Sequence, residues 1–312
     1  MSRLLDRVID IMKKHDVAPL VAESSDKYCF TAIGVSSKGP ILAVKVEEEL
    51  EKCNQLIARE LGKVGEFMDA CYLVISEKYR GRRLLEGVFY KRYGIYAISA
   101  ETLETLLRGE KIPFVYASQG GVYAKLDHER MRALREKRGL SLGDLAYEVG
   151  VSRKAIYEYE RGRMDASIEI AVRLEEVLKA NVVKRISFKD VRKICHTPAK
   201  EVPQEKSPDA IMFRLKRALE ELGFITHMFT RSPFHMASRR DRKRTDRIVA
   251  RHVTTLNLDD HANKLVIDIA KVVGARVLFV TEKGEKVSDP DVVVVDKRRL
   301  SRKVVEKIVE SY

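Results

Sequence analysis

The sequence predicts a multidomain α+β protein, with a central all-helical domain between two α/β domains. Three observations support this fold class. Apolar residues recur at helical spacing through the middle of the chain, short apolar runs of strand character alternate with amphipathic helices on both sides, and the two outer segments repeat one order of elements. At 312 residues, the chain is long enough for several domains that each bury a core.

Domain boundaries are expected where the composition changes. The predicted parts are an N-terminal α/β domain, a glycine-containing connector, the helical domain, a linker rich in proline, lysine and glutamate, and a C-terminal α/β domain. They cover residues 1–112, 113–126, 127–186, 187–208 and 209–312, respectively.

The N-terminal domain begins with a predicted amphipathic helix that carries Leu5, Val8 and Met12 at steps of three and four. The strand-like runs VAPLVA, YCFTAIGV and ILAVKV follow, and the turn residues SSKG between the last two predict a hairpin. A long helix that includes Leu50 precedes the buried strand CYLVIS, the strands GVFY and YGIYAIS, and a helix capped by Ser99.

The C-terminal segment repeats this order of helix, three strands, helix and strand. Aligned by element, Phe30 falls on Phe234, Leu50 falls on Leu258, and the run YLVI falls on VLFV. Few residues are identical, so either an internal duplication or the chance repetition of a common order explains the match. The two α/β domains are therefore candidates for related folds.

Charge and composition restrict the function classes. The formal net charge is +13 and the pI is near 9.5, which favours nucleic acid or an acidic membrane surface as partner. No apolar run approaches the roughly 20 residues of a membrane span, and the basic segments lack interleaved apolar residues. The N-terminus lacks the apolar core of a signal peptide, and the four cysteines lack metal-ligand spacing. We expect a cytoplasmic protein without membrane partner, metal or cofactor.

The central segment carries consecutive helix start and stop signals. Ser141 and Asp144 are spaced as a capping box at the start of one helix, and Gly150 can end that helix in the left-handed conformation. Ser152 caps the next helix, and Gly162 allows the exit from it. The pattern predicts two short helices around a tight turn.

The stretch SLGDLAYEVGVSRKAIYEYERG resembles the helix-turn-helix domain of the Cro/C1-repressor superfamily. The resemblance rests on Leu145 and Ala146, on the turn residues 150–152, on Ile156, and on the ending 159–162. The wider chain, with GVFYKRYGIYAIS and VYASQGGVYAKL before the motif, is similar to archaeal helix-turn-helix transcriptional regulators.

The resemblance implies that the helix beginning at Arg153 enters the major groove of double-stranded DNA. Arg153 and Lys154 would then donate to guanine, and Glu158 would accept from cytosine. The full set of DNA-binding residues expected from the resemblance is Ser141, Ser152, Arg153, Lys154, Ala155, Tyr157, Glu158 and Arg161. The chain has glycine at position 143, where many relatives carry a polar residue. Arg132, Arg135 and Lys137 are expected to supply positive charge instead, with Arg132 and Arg135 as the candidate phosphate contacts.

An arginine-rich run, Ser238 to His252, holds seven Arg or Lys against two Asp. It lies where a hairpin loop is expected, and it either follows the DNA backbone or forms an ordinary solvated loop. The candidate phosphate contacts in it are Arg239, Arg240, Arg242, Lys243 and Arg244.

The order of elements in the flanks also resembles the restriction-endonuclease-like core, whose metal site needs an Asp and a Glu-x-Lys on adjacent strands. Lys45 stands where the lysine is required, but Ala43 and Thr31 stand at the carboxylate positions. In the second flank His235 falls near the aspartate position, without an acidic partner on the following strand. We therefore expect no catalytic residues.

These observations predict a sequence-specific, non-catalytic transcriptional regulator that binds double-stranded DNA as a homodimer. The sequence does not indicate a small-molecule effector. The main alternative is a DNA-processing nuclease or an accessory factor with an endonuclease-like flank. A second alternative is an RNA-binding protein that uses the same basic charge, although no RNP-type aromatic run is present.

Overall fold

The computed structural model describes residues 2–23, 26–36, 39–195, 209–240, 246–284, 287, 289 and 291–310. The first part of the chain forms α1 (Arg3–Lys14), β1 (Val17–Val21), β2 (Ala32–Ser36), β3 (Leu42–Glu49), a 3-10 turn (Leu50–Lys52), α2 (Gln55–Met68) and β4 (Cys71–Tyr79). It continues with β5 (Arg82–Arg83), β6 (Val88–Arg92), β7 (Ile95–Ile98), α3 (Ala100–Leu107), β8 (Ile112–Pro113), β9 (Val115–Ser118) and β10 (Gly121–Ala124).

The helical part contains α4 (His128–Lys137), α5 (Leu142–Val149), α6 (Arg153–Glu160), β11 (Ala166–Ser167), α7 (Ile168–Leu178), β12 (Arg185–Ile186) and α8 (Phe188–Cys195). The last part contains α9 (Ala210–Glu221), β13 (Ile225–Met228), β14 (Met236–Arg239), β15 (Arg247–His252), α10 (His261–Val273), β16 (Arg276–Thr281), β17 (Val292–Asp296) and α11 (Arg302–Glu310). In the described part of the chain, no helix is both long and apolar enough to cross a membrane.

The described residues fall into two compact units. The first unit contains the residues up to Ile11 together with Glu47–Lys52 and Leu73–Ile194, and the second contains Met12–Val46, Cys53–Tyr72 and the residues from Cys195 onward. Strands β3 and β4 therefore begin in the second unit and end in the first.

A sheet in the first unit leads directly into the helical domain. Strand β7 pairs in parallel with β4 and antiparallel with β6, β6 pairs in parallel with β9, and β9 pairs antiparallel with β10. Strand β10 then pairs with β11, which immediately precedes α7. Residues 113–126, expected to form a connector, thus form strands. Val115 and Ala124 are paired in this register, and both pack against the core of the helical domain.

The start of the expected linker at residues 187–208 also has regular structure. Helix α8 begins beside Ser187, whose backbone N–H and hydroxyl both donate to the Asp190 carboxylate. Val191 and Cys195 are buried on one side of this helix. These two apolar residues are four positions apart, as expected for one side of a helix. The lysines beside them in the sequence favoured the interpretation as a linker instead. Residues 196–208 lie outside the described residues.

The helical domain has the order of elements that the capping signals predict. Met131, Leu145, Val149, Ile156 and Leu174 are each fully buried in one core. The N-caps of α5, α6 and α7 are Ser141, Ser152 and Ser167, and each side chain accepts a hydrogen bond from a backbone N–H in the first turn of its helix.

The second unit contains two segments with the same strand pairing. Strands β1, β2 and β3 pair antiparallel, with Ala32 opposite Val44, and β13, β14 and β15 pair antiparallel, with Met236 opposite Ala250. The Asn54 and Asp260 side chains cap the helices that follow. These capping positions align Leu50 with Leu256 instead of Leu258, and Leu50 itself lies in the 3-10 turn before α2.

Candidate nucleic-acid interface

Helices α5 and α6 and the turn between them form the candidate interface. The Ser141 hydroxyl accepts from the Asp144 N–H at 3.1 Å, and the Asp144 carboxylate accepts from the Ser141 N–H at 2.8 Å. Hydrogen bonds to the carboxylate from the Ser141 side chain and from the Ser141 backbone N–H hold the pKa of Asp144 below its ordinary value, because they favour the ionised form. The start of α5 is therefore fixed by a reciprocal capping box.

Two glycines in this region differ in backbone conformation: Gly150 is left-handed, whereas Gly143 is helical. Replacing each by alanine therefore gives a matched pair of variants. Gly150 has φ of 79° and ends α5, whereas Gly143 lies in the first turn of α5, where an added Cβ would meet only the Ser141 Oγ, at 3.5 Å. We expect Gly150→Ala to lower the free energy of unfolding by about 1 kcal/mol and Gly143→Ala to raise it by about 0.5 kcal/mol. Urea unfolding of both variants measures the difference, and equal effects would contradict this account of the turn.

Helix α6 has one buried side and one exposed side. Ile156 is fully buried and Tyr159 is nearly so, whereas Arg153 and Lys154 are exposed. Tyr157 is 42% exposed on the same outer side. The expected base-reading residues are thus directed away from the domain core.

The remaining expected contacts lie around the same helix. Ser152 is exposed at its N-terminus, where its hydroxyl accepts from the Ala155 N–H at 3.1 Å. Ala155 and Glu158 are half-buried, and Ser141 is exposed at the start of α5. Leu142 joins Arg153, Lys154 and Tyr157 in lining a shallow hollow between the two helix starts.

Arg161 and Tyr157 form a pair at the C-terminal end of α6. The guanidinium of Arg161 lies 5.2 Å from the centre of the Tyr157 ring, and its Nη1 donates to the Tyr157 hydroxyl. Both residues are exposed. The pair presents a planar cation and an aromatic ring to an approaching polyanion.

Arg135 has a role inside the domain. Its Nε donates to Glu160 Oε1 at 2.6 Å, its Nη2 donates to Glu160 Oε2 at 3.0 Å, and its Nη1 donates to the Leu140 carbonyl at 2.9 Å. The hydrogen bonds with Glu160 raise the pKa of Arg135. The guanidinium thus joins α4 to α6, which gives Arg135 a structural role, and the phosphate contact expected of it stays a prediction.

The other expected phosphate contacts differ in their ion-pair partners. Arg132 is exposed and pairs with Glu136 at 2.9 Å, a surface ion pair that costs little to exchange for a phosphate. Arg239 lies 3.2 Å from Glu66, and Arg240 lies 3.1 Å from Asp246. Arg242, Lys243 and Arg244 lie outside the described residues.

Tyr147 was not among the expected contact residues. Its side chain lies on α5 and is 88% exposed, the largest exposure among the exposed large apolar and aromatic side chains in the described part of the chain. The helical periodicity of the sequence indicates this exposure, because Tyr147 directly follows the buried pair Leu145 and Ala146 and so falls on the outer side of the helix.

The endonuclease-like lysine position on β3 is Lys45, and Ala43 and Thr31 stand at the expected carboxylate positions. Lys45 is buried, and its Nζ donates to the Tyr28 carbonyl at 3.0 Å. Thr31 is also buried and accepts from the Val46 N–H through Oγ1 at 3.0 Å. Within the described residues, no group of three or more His, Cys, Asp or Glu side chains could hold a metal ion.

The buried Glu60 carboxylate accepts hydrogen bonds from other groups of the protein. Glu60 on α2 accepts from the Thr230 N–H at 2.9 Å, from the Thr230 hydroxyl at 2.7 Å and from the Arg231 N–H at 2.7 Å. Sequence reasoning did not single out Glu60, because its partners lie 170 residues or more away along the chain.

The second flank repeats the local arrangement around Thr31. The His252 N–H donates to His235 Nδ1 at 3.1 Å, as the Val46 N–H donates to Thr31. Arg251, the neighbour of His252, donates to the Pro233 carbonyl, as Lys45 donates to Tyr28.

His252 has an acidic partner, Asp209, that lies outside the strands and so could not be found from the strand patterns in the sequence. His252 Nδ1 lies 2.8 Å from Asp209 Oδ2, and Asp209 precedes α9. Burial alone would raise the pKa of Asp209, but hydrogen bonds from His252 and from the first turn of α9 lower it below its ordinary value.

Comparison with known proteins adds two family matches and a set of relatives. The model for a PD-(D/E)XK superfamily domain matches residues 1–112, and a helix-turn-helix model matches residues 131–183. Relatives from Methanocorpusculum labreanum, Methanospirillum hungatei and Thermococcus gammatolerans share the name "Putative HTH-type transcriptional regulatory protein".

The relatives differ in coverage. The relative from M. labreanum is 39% identical, over 64% of this chain and 64% of its own length. That from M. hungatei is 34% identical over 77% and 76%, and that from T. gammatolerans is 27% identical over 99% and 95%. Among solved structures, a chain of a SinR protein/SinI protein complex is 21% identical over 31% of this chain and 80% of its own, with a TM-score of 0.17.

Proposed function

Because the chain belongs to the family of archaeal HTH-type transcriptional regulatory proteins, we propose that it is a transcriptional regulator that reads duplex DNA through α6. The observation that carries the proposal is the exposed side of α6, where Arg153, Lys154 and Tyr157 stand together around one shallow hollow. Arginine and lysine at the start of a recognition helix are suited to guanine O6 and N7.

The positions around α6 support the same proposal. Ser152 and Ser141 present hydroxyls at two helix N-termini, where backbone N–H groups and the helix dipole favour a phosphate. Arg132 and Arg161 add exposed positive charge, and Glu158 supplies an acceptor at the edge of the exposed side. In this arrangement, phosphate contacts set the register and α6 supplies the discrimination.

Selection of bound sequences from a random duplex pool tests this function, with a random single-stranded RNA pool as the comparison. We expect a short palindromic DNA motif whose half-sites lie about one helical turn apart, because two copies of such a domain bind on one side of the duplex as a homodimer. Enrichment of RNA with no DNA motif would contradict the proposal and favour the RNA-binding alternative.

We further propose that the endonuclease-like segments are non-catalytic and related to each other. Lys45 and Arg251 occupy corresponding positions, as do Thr31 and His235, which supports an internal duplication of one core. Metal-assisted cleavage needs carboxylates that hold the ion, and Ala43 stands at the position where one is required. The segments then serve dimerisation, ligand sensing or additional DNA contact, in a cytoplasmic protein.

Incubation of the protein with plasmid DNA and Mg²⁺ or Mn²⁺ tests this loss of catalysis. We expect no nicking or linearisation above a protein-free control, because Ala43 and Thr31 stand at the positions where carboxylates would bind the ion. Metal-dependent cleavage that is abolished by Lys45→Met would contradict the proposal, since a contaminating nuclease would be unaffected by that substitution.

A further inference from the structure

A second exposed basic surface lies in the first unit, on the sheet that leads into the helical domain. Residues 77–93 contain six Arg or Lys against two Glu. We call its central cluster the Tyr79 surface, which consists of Tyr79, Arg80, Arg82, Tyr90, Arg92 and Tyr93.

Contacts between rings and guanidinium groups hold this cluster together. The Arg80 guanidinium lies 5.3 Å from the centre of the Tyr79 ring, and that of Arg92 lies 5.9 Å from the same ring and 4.6 Å from the Tyr93 ring. The centres of the Tyr90 and Tyr79 rings are 6.2 Å apart. Arg92 also donates from Nη2 to the Tyr93 hydroxyl at 3.4 Å. Tyr79, Tyr90 and Arg92 are half-buried, and Arg80 is exposed at the edge of this stack of rings and planar cations.

The strand pairing places a further arginine beside this cluster. Arg82 is directly opposite Tyr79 in the β4–β5 hairpin, so their side chains share one side of it. Both Arg80 and Arg82 are exposed, and neither has a carboxylate partner within ion-pair distance among the described residues. Glu51 is the nearby acid, and it accepts from the Arg80 backbone N–H.

The two hairpin tips carry unusual residues for their backbone conformation. Arg80 and Gly81 have φ of 52° and 73°, and Tyr93 and Gly94 have φ of 48° and 84°. Asparagine is the usual partner of glycine in such turns, and large side chains are disfavoured there. Tyr93 is also 49% exposed. An arginine at one tip and a tyrosine at the other thus indicate a role for these side chains outside the fold.

The sheet gives this surface a fixed relation to the helix-turn-helix. Strand β6 is connected to the helical domain through β9, β10 and β11, each step being a hydrogen-bonded pair. Neighbouring strands lie about 5 Å apart, so β6 is about 15 Å from β11 across the sheet. Strand β6 of this surface and the helical domain therefore belong to one hydrogen-bonded sheet, and the strand separation is smaller than one helical turn of duplex DNA, which is roughly 34 Å long.

From these observations we propose that the Tyr79 surface binds the sugar-phosphate backbone of duplex DNA that flanks the site read by α6. The proposal rests on the proposed function, because both surfaces then engage one duplex. Guanidinium groups bind phosphate through two parallel N–H donors, and the tyrosine hydroxyls donate to phosphate oxygens.

The salt dependence of DNA affinity tests this proposal. The variant Arg80→Ala/Arg82→Ala/Arg92→Ala is compared with the wild type on the duplex selected for α6, extended to about 40 base pairs so that it covers the flanks. We expect the slope of log K against log salt to become shallower by about 2 to 3, since each lost phosphate contact removes about 0.9. The sequence preference stays unchanged.

Three controls separate this contact from other causes. Arg298→Ala/Arg299→Ala/Lys303→Ala removes the same charge from exposed positions of the second unit and should leave the slope near that of the wild type. Arg80→Lys/Arg82→Lys/Arg92→Lys should keep most of the slope. On a duplex trimmed to the α6 site, wild type and the alanine variant should bind alike.

The outcomes discriminate between this proposal and the proposed function. An alanine variant that matches the distal control on the long duplex overturns the flanking contact while leaving the α6 site intact. An equal loss on the long and the trimmed duplex also overturns it. Absence of duplex binding by the wild type overturns both proposals.

Discussion

The double variant Arg153→Ala/Lys154→Ala should lose about 100-fold of its affinity for the selected duplex and keep weak, salt-sensitive binding to DNA of any sequence. Each side chain that pairs with guanine contributes about 1–3 kcal/mol of discrimination, whereas the phosphate contacts around α6 contribute without regard to sequence. Fluorescence anisotropy with the selected duplex and a scrambled duplex measures both affinities.

A matched charge control is needed, because removing two cations weakens DNA binding in any case. Lys179→Ala/Lys189→Ala removes the same charge from exposed positions of the first unit outside α5 and α6. This control should retain the preference for the selected duplex. Equal losses by the two double variants would show that charge alone, and not the position on α6, determines the affinity.

The second large effect should come from the ion pair that joins α4 to α6. The Arg135 and Glu160 side chains are only 11% and 8% exposed. Arg135→Ala therefore leaves a buried carboxylate without its bidentate partner, and we expect the helical domain to lose about 3 kcal/mol of unfolding free energy. Hydrogen exchange of backbone amides in α4 and α6 measures the loss in this domain separately from the rest of the chain.

The double variant Arg135→Met/Glu160→Leu distinguishes a structural ion pair from a binding residue. Apolar side chains of similar size remove both charges together, so the unfolding free energy should return to near that of the wild type. If Arg135→Ala left amide exchange unchanged and weakened DNA binding instead, Arg135 would be a phosphate contact as its position first indicated.

Local signals in the sequence determined most of the helical domain. Ser141, Gly150 and Ser152 each act on their own backbone within a few residues, so their spacing was sufficient to predict where α5 and α6 begin and where α5 ends. The order of elements in the flanks was also predictable, because each strand carries its own apolar run.

Partners distant in sequence could not be predicted in this way. Arg135 has the composition of a phosphate contact, and only its position opposite Glu160 in the fold gives it a structural role. Glu60 and Thr230 meet across 170 residues. The strands formed by residues 113–126 are short and gain their stability from neighbours in the sheet, which periodicity in a single segment does not reveal.

The central claim, that α6 reads bases in the major groove, is tested most directly by methylation protection of the selected duplex. Dimethyl sulfate attacks guanine N7 in the major groove and adenine N3 in the minor groove, so one reaction reports on both grooves. We expect wild-type protein to protect guanine N7 within each half-site, and Arg153→Ala/Lys154→Ala to expose those guanines at saturating protein. Protection confined to adenine N3, or guanine protection that the double variant retains in full, would contradict the claim.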